Sequence, residues 1–383
     1  MEGYTWRDMN KLFLIVVLML APFRAVFAQT ATPPWYERIR FGGDFRSRYE
    51  GFRQEDTEDR NRVRLRLRMR LDAEINEDAG LHIQLSSGDA GTPVSTNQTF
   101  TGFFQPKPIN LDRAYLAYNP TAAPALTLGI GKFGAPQSTT QLLFDDDLNF
   151  EGGWEHVEWE PREGLAITLV ALQAAVNERS AAEDSYMLSG AGEVGFALGR
   201  HRLRLSLANY AWVNEDQIAV ASSGGPLESI LTNGVRRDRA GRVIGYVSEF
   251  NVVDVIAEAT IQTGDSQYPL RLLADLARNT KASTDRDRGL WLEAEYGAPR
   301  ATGTWGLSYT YGEIEQDVSP SAFVFSDIPG TNLRLHMLEN SYVLKTGLSI
   351  DTTLHFTRRL WLETPTDSNP WLTRVHLAVV VRF

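Results

Sequence analysis

No cysteine occurs among the 383 residues. That excludes a disulfide framework, thiolate catalysis and any cysteine-held metal. Histidine is scarce: His82, His156, His201, His336, His355 and His376 are scattered, with neither the spacing of a metal set nor that of a Ser/His/acid triad. Beyond residue 30 no stretch approaches ~18 consecutive apolar residues, which excludes a helical membrane protein. Basic charge is in deficit as well. Thirty-eight Lys and Arg face 48 Asp and Glu, a net charge of −10 that argues against a general nucleic-acid binder.

What the chain does have begins at its N-terminus. Lys11 precedes an apolar run from Leu12 to Ala21, and small-residue processing sites follow around Val26-Phe27-Ala28. This is the pattern of an export signal cleaved after Ala28. A membrane anchor fits less well, because the run is short and broken by Pro22 and Arg24. Glu2 and Asp8 are foreign to such a signal, so Met9 competes with Met1 as initiator. Removing 1–28 takes away Arg7, Lys11 and Arg24 with Glu2 and Asp8, which leaves the exported chain one unit more acidic.

The segment "NRVRLRLRMRLDAE", residues 61–74, alternates charged and apolar residues without a break from Arg62 to Leu71. Successive side chains of a strand point to opposite faces, so the segment is two-faced only as a strand; at about 100° per residue its apolar positions would smear around a helix. Similar segments recur to the last residue, about sixteen in all: 39–50, 61–75, 81–87, 111–118, 126–133, 150–160, 165–173, 185–198, 202–212, 250–261, 270–278, 289–297, 304–312, 339–350, 354–363 and 371–383. Connections at one end are long, among them 88–108, 134–149, 213–249 and 313–337. At the other end they are mostly short, among them 76–80, 161–164, 199–201 and 351–353. Long and short alternate without a change of parity, and both termini fall on the short side. A soluble Greek-key sandwich has no reason to produce this. The pattern predicts an all-β, transmembrane, antiparallel up-and-down barrel with short periplasmic turns and long extracellular loops. An even strand count lets first and last strands pair, removing edges that lipid cannot satisfy. The expected organisation is signal 1–28, a periplasmic lead 29–38 and the barrel 39–383.

Such a barrel decides where the arginines go. Facing hydrocarbon, each would cost ~2–4 kcal/mol near the midplane; facing inward, they line a lumen wide enough for water. Arg62, Arg64, Arg66, Arg68 and Arg70 therefore form a basic ladder on the wall, with Arg40, Arg46 and Arg48 beside it and Asp44, Asp72 and Glu74 on the same faces. The third long loop holds Asp145, Asp146 and Asp147; this layout resembles that of classical general porins, which implies an acidic constriction opposite the ladder. A solvated Asp run and a loop Ca²⁺ site are the competing readings. Aromatics near strand ends, Tyr49, Tyr118, Trp154, Trp159, Tyr210, Trp212, Trp291, Tyr296, Tyr309, Tyr311, Trp361, Trp371 and Phe383, are expected to form interfacial girdles.

"RVRLRLRMRLDAEIN", "IQLSSGD…TNQTF", "LDRAYLAY", "LGIGKFGAP", "FDDDLNFEGG" and "YPLRLLADLARNT" together resemble the "putative porin" family of Gram-negative outer-membrane proteins, with a looser similarity to alginate-export barrels. The last strand, in which Val375, Leu377, Val379, Val381 and the terminal Phe383 alternate, resembles the closing strand of outer-membrane proteins read by the barrel-assembly machinery. The resemblance implies a water-filled channel for small hydrophilic or charged solutes, set in outer-membrane lipid and lipopolysaccharide, with homotrimers common among general porins. It brings no cofactor, metal or nucleic-acid partner. The alternatives are an export channel for an anionic polysaccharide, a plugged structural or adhesive barrel in which loops 213–249 and 313–337 carry contacts, and a membrane enzyme, for which no constellation is visible.

Overall fold

The computed structural model describes residues 34–180, 183–362, 364 and 368–383; the expected signal segment lies outside them. Two units are distinguished, residues 1–38 and 39–383. In the first, Trp35–Arg38 forms a short 3-10 turn.

The second unit is a closed antiparallel barrel of sixteen long strands. In order they are β1 Ile39–Arg53, β2 Arg60–Glu74, β3 Ala79–Ser87, β4 Ile109–Tyr118, β5 Leu126–Phe133, β6 Phe150–Arg162, β7 Leu165–Asn177, β8 Ser185–Leu198, β9 His201–Val213, β10 Asn251–Ile261, β11 Leu270–Asn279, β12 Arg288–Tyr296, β13 Trp305–Ile314, β14 Leu333–Lys345, β15 Leu348–Arg359 and β16 Leu372–Arg382. Each pairs with its sequence neighbour, and β1 pairs with β16 from Asp44↔Arg382 to Arg53↔Thr373, which closes the sheet. The seal is completed at the terminus, where Phe383 and Gly43 exchange backbone hydrogen bonds of 2.8 and 3.1 Å. A side chain on Gly43 would meet the Phe383 ring at 2.9 Å and the Arg68 carbonyl at 2.2 Å, so only glycine lets the two strands and the ring close up.

The parity of the connections holds: 75–78, 119–125, 163–164, 199–200, 262–269, 297–304 and 346–347 lie at one end, and every connection longer than eight residues lies at the other. One turn is displaced from its expected place. The β14–β15 connection is Thr346-Gly347 rather than 351–353, with Gly347 at φ +82° and a bulge between Val343 and Lys345. A glycine in the left-handed region closes such a hairpin. Thr352 and Thr353, taken for turn residues, are β-branched strand formers. The strand also starts earlier than expected, because Leu333, Leu335 and Met337 alternate onto a buried face.

Outward-facing positions form an exposed apolar band that includes Phe41, Phe45, Val63, Leu205, Leu207, Leu276, Leu377 and Val379. Among the described residues no helix is long and apolar enough to cross a membrane, a statement that leaves β-strands untouched. The core lies inside the barrel, where loops 134–149 and 315–332 pack against the wall. Phe144 meets Tyr210 at 4.9 Å between ring centroids, Trp212 stacks on Phe323 at 5.3 Å, and Trp291 meets Phe325 edge-on at 6.4 Å. Tyr210, Trp212 and Trp291 are therefore buried anchors for inward loops, not members of an interfacial girdle. Tyr49, Trp159, Tyr296, Tyr309, Trp361, Trp371 and Phe383 remain exposed, as a girdle requires. Loop 214–250 carries helix α1, Asp216–Ser222, and a small hairpin of 235–237 with 243–246. It is tied to loop 315–332: Asn233 donates to the carbonyls of Gln316 (2.6 Å) and Ser319 (2.9 Å), and the Gly234 N–H donates to Asp317.

Candidate functional site

The even-numbered residues of β1 and β2 share one face, because Arg46 stands opposite Arg66 and Arg48 opposite Arg64 in the antiparallel register. Like charges directly opposed are destabilising, so carboxylates must be interleaved, and they are. Asp44 accepts hydrogen bonds from Arg66 (2.7 and 3.0 Å) and Arg68 (2.8 Å). Glu50, fully buried, accepts from Arg62 at 2.5 Å and from Arg374 of β16 at 3.0 Å, and is also paired with Arg48. Arg64 reaches Glu50 at 3.6 Å and the Asn97 carbonyl at 3.2 Å. Arg46 donates to the Asn97 side chain at 2.7 Å.

The inward loops complete the cluster. Asp327 receives a two-pronged bond from Arg48, 2.8 and 3.1 Å, and another from Arg374 at 2.8 Å. Burial alone would raise the Asp327 carboxyl, but the guanidinium groups of Arg48 and Arg374 outweigh it and hold the carboxyl well below the usual range. Of the loop aspartates, Asp147 meets Arg68 at 3.3 Å and accepts from the Thr96 N–H and hydroxyl. Asp145 is buried and accepts the N–H groups of Ser326 (2.6 Å) and Asp147 (2.7 Å). Burial, with Asp147 beside it, pushes its carboxyl up to about 7. Asp146 is exposed and accepts from Gln141.

The remaining expected residues sit toward the short-turn end. Arg40 pairs with Glu74 at 2.6 Å with both largely exposed, Asp72 pairs with His82 at 2.6 Å, and Arg70 is exposed. Val379, Val381 and Phe383 face outward, with Phe383 against Phe41. Sequence reasoning missed Glu50, Arg374 and Asp327. Glu50 shares its parity with Arg46 and Arg48, so it was findable, whereas nothing local marks Asp327. The acidic far wall was missed too. On β10 to β12, Arg271 is held among Glu258 (3.0 Å), Glu293 (2.5 Å) and Glu295 (3.6 Å), and Glu258 also takes Arg204 at 2.9 Å.

Glu50, Asp327 and His376 bring possible ligand atoms within 4.8 Å of one another. Both carboxylates are already neutralised by Arg48 and Arg374, whose charge would repel a cation, so the set does not fit a metal. Near the short-turn end a cleft of about 570 Å³ has Glu295, Arg300, Glu339, Asp351 and Arg382 among its lining residues, with Leu307 and Leu348 beside them.

A barrel of sixteen strands with short turns at one end and loops folded within it is the architecture of outer-membrane channels. The "Putative porin" family model matches residues 52–216. No curated protein sequence matches the chain. Among solved structures, the high-pH form of Pseudomonas putida OprB is similar over 91% of this chain and 95% of its own, at 12% identity and a TM-score of 0.58. Salmonella typhi OmpF in complex with daunomycin is similar over 90% and 97%, at 10% identity and a TM-score of 0.51. The outer membrane channel DcaP of Acinetobacter baumannii gives the same coverage, identity and score. The resemblance to porins read from the sequence is met by both comparisons. At these identities the solved structures speak for the fold.

Proposed function

We propose that the protein is an outer-membrane porin through which small hydrophilic or charged solutes diffuse. Loops 134–149 and 315–332 narrow the pore against the arginine-bearing wall of β1, β2 and β16. The observation that carries this is the division of charge around the inner face. Guanidinium groups gather on those three strands, and Glu258, Glu293 and Glu295 lie on β10 to β12 across the barrel. Separated charge in a low-dielectric frame produces a transverse field that orients dipolar solutes and sets ion preference. Outer-membrane lipid and lipopolysaccharide face the exposed apolar band. Export of an anionic polymer is disfavoured, because Asp147 and Asp327 already occupy arginines that the polymer would need.

The test is single-channel recording of the refolded barrel in a planar bilayer under a salt gradient. A steady conductance with a non-zero reversal potential is expected. Neutralising Arg46 and Arg64 together should move that potential toward cation preference. A folded barrel that passes no current would overturn the reading in favour of a plugged barrel.

A further inference from the structure

On the far wall, under loop 134–149, two carboxylates are buried with no cation to neutralise them. Asp254 on β10 is 2% exposed and Asp275 on β11 is 0% exposed. Their side chains are within hydrogen-bond reach of each other. Their neighbours on the same face, Val252, Ile256, Leu273 and Ala277, are apolar and buried. Among the described residues no Lys, Arg or His lies within ion-pair distance of either. Arg204, the nearest basic group on the adjoining strand β9, is bound to Glu258 and lies 3.9 Å from Glu193. Two buried, adjacent carboxylates without a counter-charge are strongly unfavourable.

Oxygens of the pair and of its neighbour Tyr210 are short of partners. The Oδ1 atoms of both Asp254 and Asp275 are buried and make no hydrogen bond. The Oε1 of Gln137, a residue 7% exposed, has no partner, while its amide nitrogen is spent on Ser189 at 2.7 Å. The Tyr210 hydroxyl, 1% exposed, also has no partner and lies beside Gln137 and within electrostatic reach of both aspartates. Thr140 of the same loop donates its hydroxyl to Asp275. A donor set of carboxylate and hydroxyl oxygens, with two negative charges and no nitrogen or sulfur, suits a hard divalent cation rather than a transition metal.

We propose that Asp254, Asp275 and Thr140 form a Ca²⁺ site, with Tyr210 and its neighbour Gln137 at its edge, that clips loop 134–149 to the barrel wall. Two carboxylates balance the charge of the ion, and Thr140 supplies a loop oxygen, so filling the site joins loop to wall. The inference does not depend on the channel reading; it would hold for an open or a plugged barrel.

The site is tested on the full barrel refolded in detergent, with Tb³⁺ as probe, since Tyr210 and Trp212 can sensitise its emission. A saturable emission that Ca²⁺ displaces is expected, together with a higher unfolding temperature in Ca²⁺ than in EDTA. Asp275→Asn should weaken Tb³⁺ binding at least about tenfold, the order that loss of even a supporting group costs a metal site. Should that variant fail to fold, Thr140→Val removes one loop oxygen while leaving the carboxylates, and should weaken binding in the same direction. Emission unchanged by either substitution, or a wild-type barrel indifferent to EDTA and Ca²⁺, overturns the proposal and leaves the pair satisfied without a metal.

Discussion

Replacing Asp327 by Asn should loosen loop 315–332 from the arginine wall. Asp327 is the acceptor for Arg48 at 2.8 and 3.1 Å and for Arg374 at 2.8 Å, and the two guanidinium groups are 4% and 8% exposed. Removing one partner of such a buried pair leaves charge uncompensated, at ~3–5 kcal/mol. Asn keeps one acceptor oxygen, which places the expected loss near the lower figure, about 3 kcal/mol. At 1.36 kcal/mol per tenfold, this raises the opening equilibrium of the loop about a hundredfold. The absence of native cysteine makes the opening measurable. Ile328, adjacent and 2% exposed, can be changed to Cys and labelled with a bulky maleimide, which reaches position 328 only when the loop leaves the wall. Labelling in the Asp327→Asn background should be about a hundred times faster than in the parent. Asp146→Asn, at an exposed carboxylate of the other inward loop, should leave it unchanged. Equal labelling rates with and without Asp327 would refute the claim that this cluster holds the loop.

Asp145 gives the pH response its sign. Its carboxyl stands at about 7 when packed under Ser326, against about 3.9 in a detached, solvated loop. The docked state therefore binds the extra proton, so docking strengthens as pH falls from about 7 toward 4 and weakens as it rises through that window, with a ceiling of about 4 kcal/mol. Current fluctuations should be more frequent at pH 8 than at pH 5, and Asp145→Asn should flatten the difference. The Asp327 link, held below the usual carboxylate range, should persist throughout the same window. Gly43→Ala places a methyl group 2.2 Å from the Arg68 carbonyl and 2.9 Å from the Phe383 ring. Backbone cannot yield as a side chain can, so a loss of ~1–3 kcal/mol or more is expected, read as a lower yield of heat-resistant folded barrel on a gel.

The barrel was legible because lipid and lumen impose a period of two on every strand, and that period survives in single residues. Val63 and Leu377 face outward, while Arg62 and Arg64 share the inner face with Glu50, as alternation requires. Counting the alternating segments set the strand number, and loop-length parity then pointed to the up-and-down barrel, without any knowledge of pairing. The inner contents were less legible, for a physical reason. A lumen-facing position can be polar because it meets water, or apolar because a loop covers it, and alternation distinguishes faces but not coverings. Tyr210, Trp212 and Trp291 sit near strand ends, where a girdle would place aromatics, yet they point inward and hold Phe144, Phe323 and Phe325. Leu333, Leu335 and Met337 broke the expected polar lumen pattern for the same reason, which hid the start of β14. Asp327 lies beyond this kind of reasoning altogether. Its partners Arg48 and Arg374 are 279 and 47 residues away, and they meet it only because β1 and β16 close the sheet. Their charges could be placed on a face from the sequence, but the carboxylate that neutralises them follows from the closed barrel and the loop folded within it.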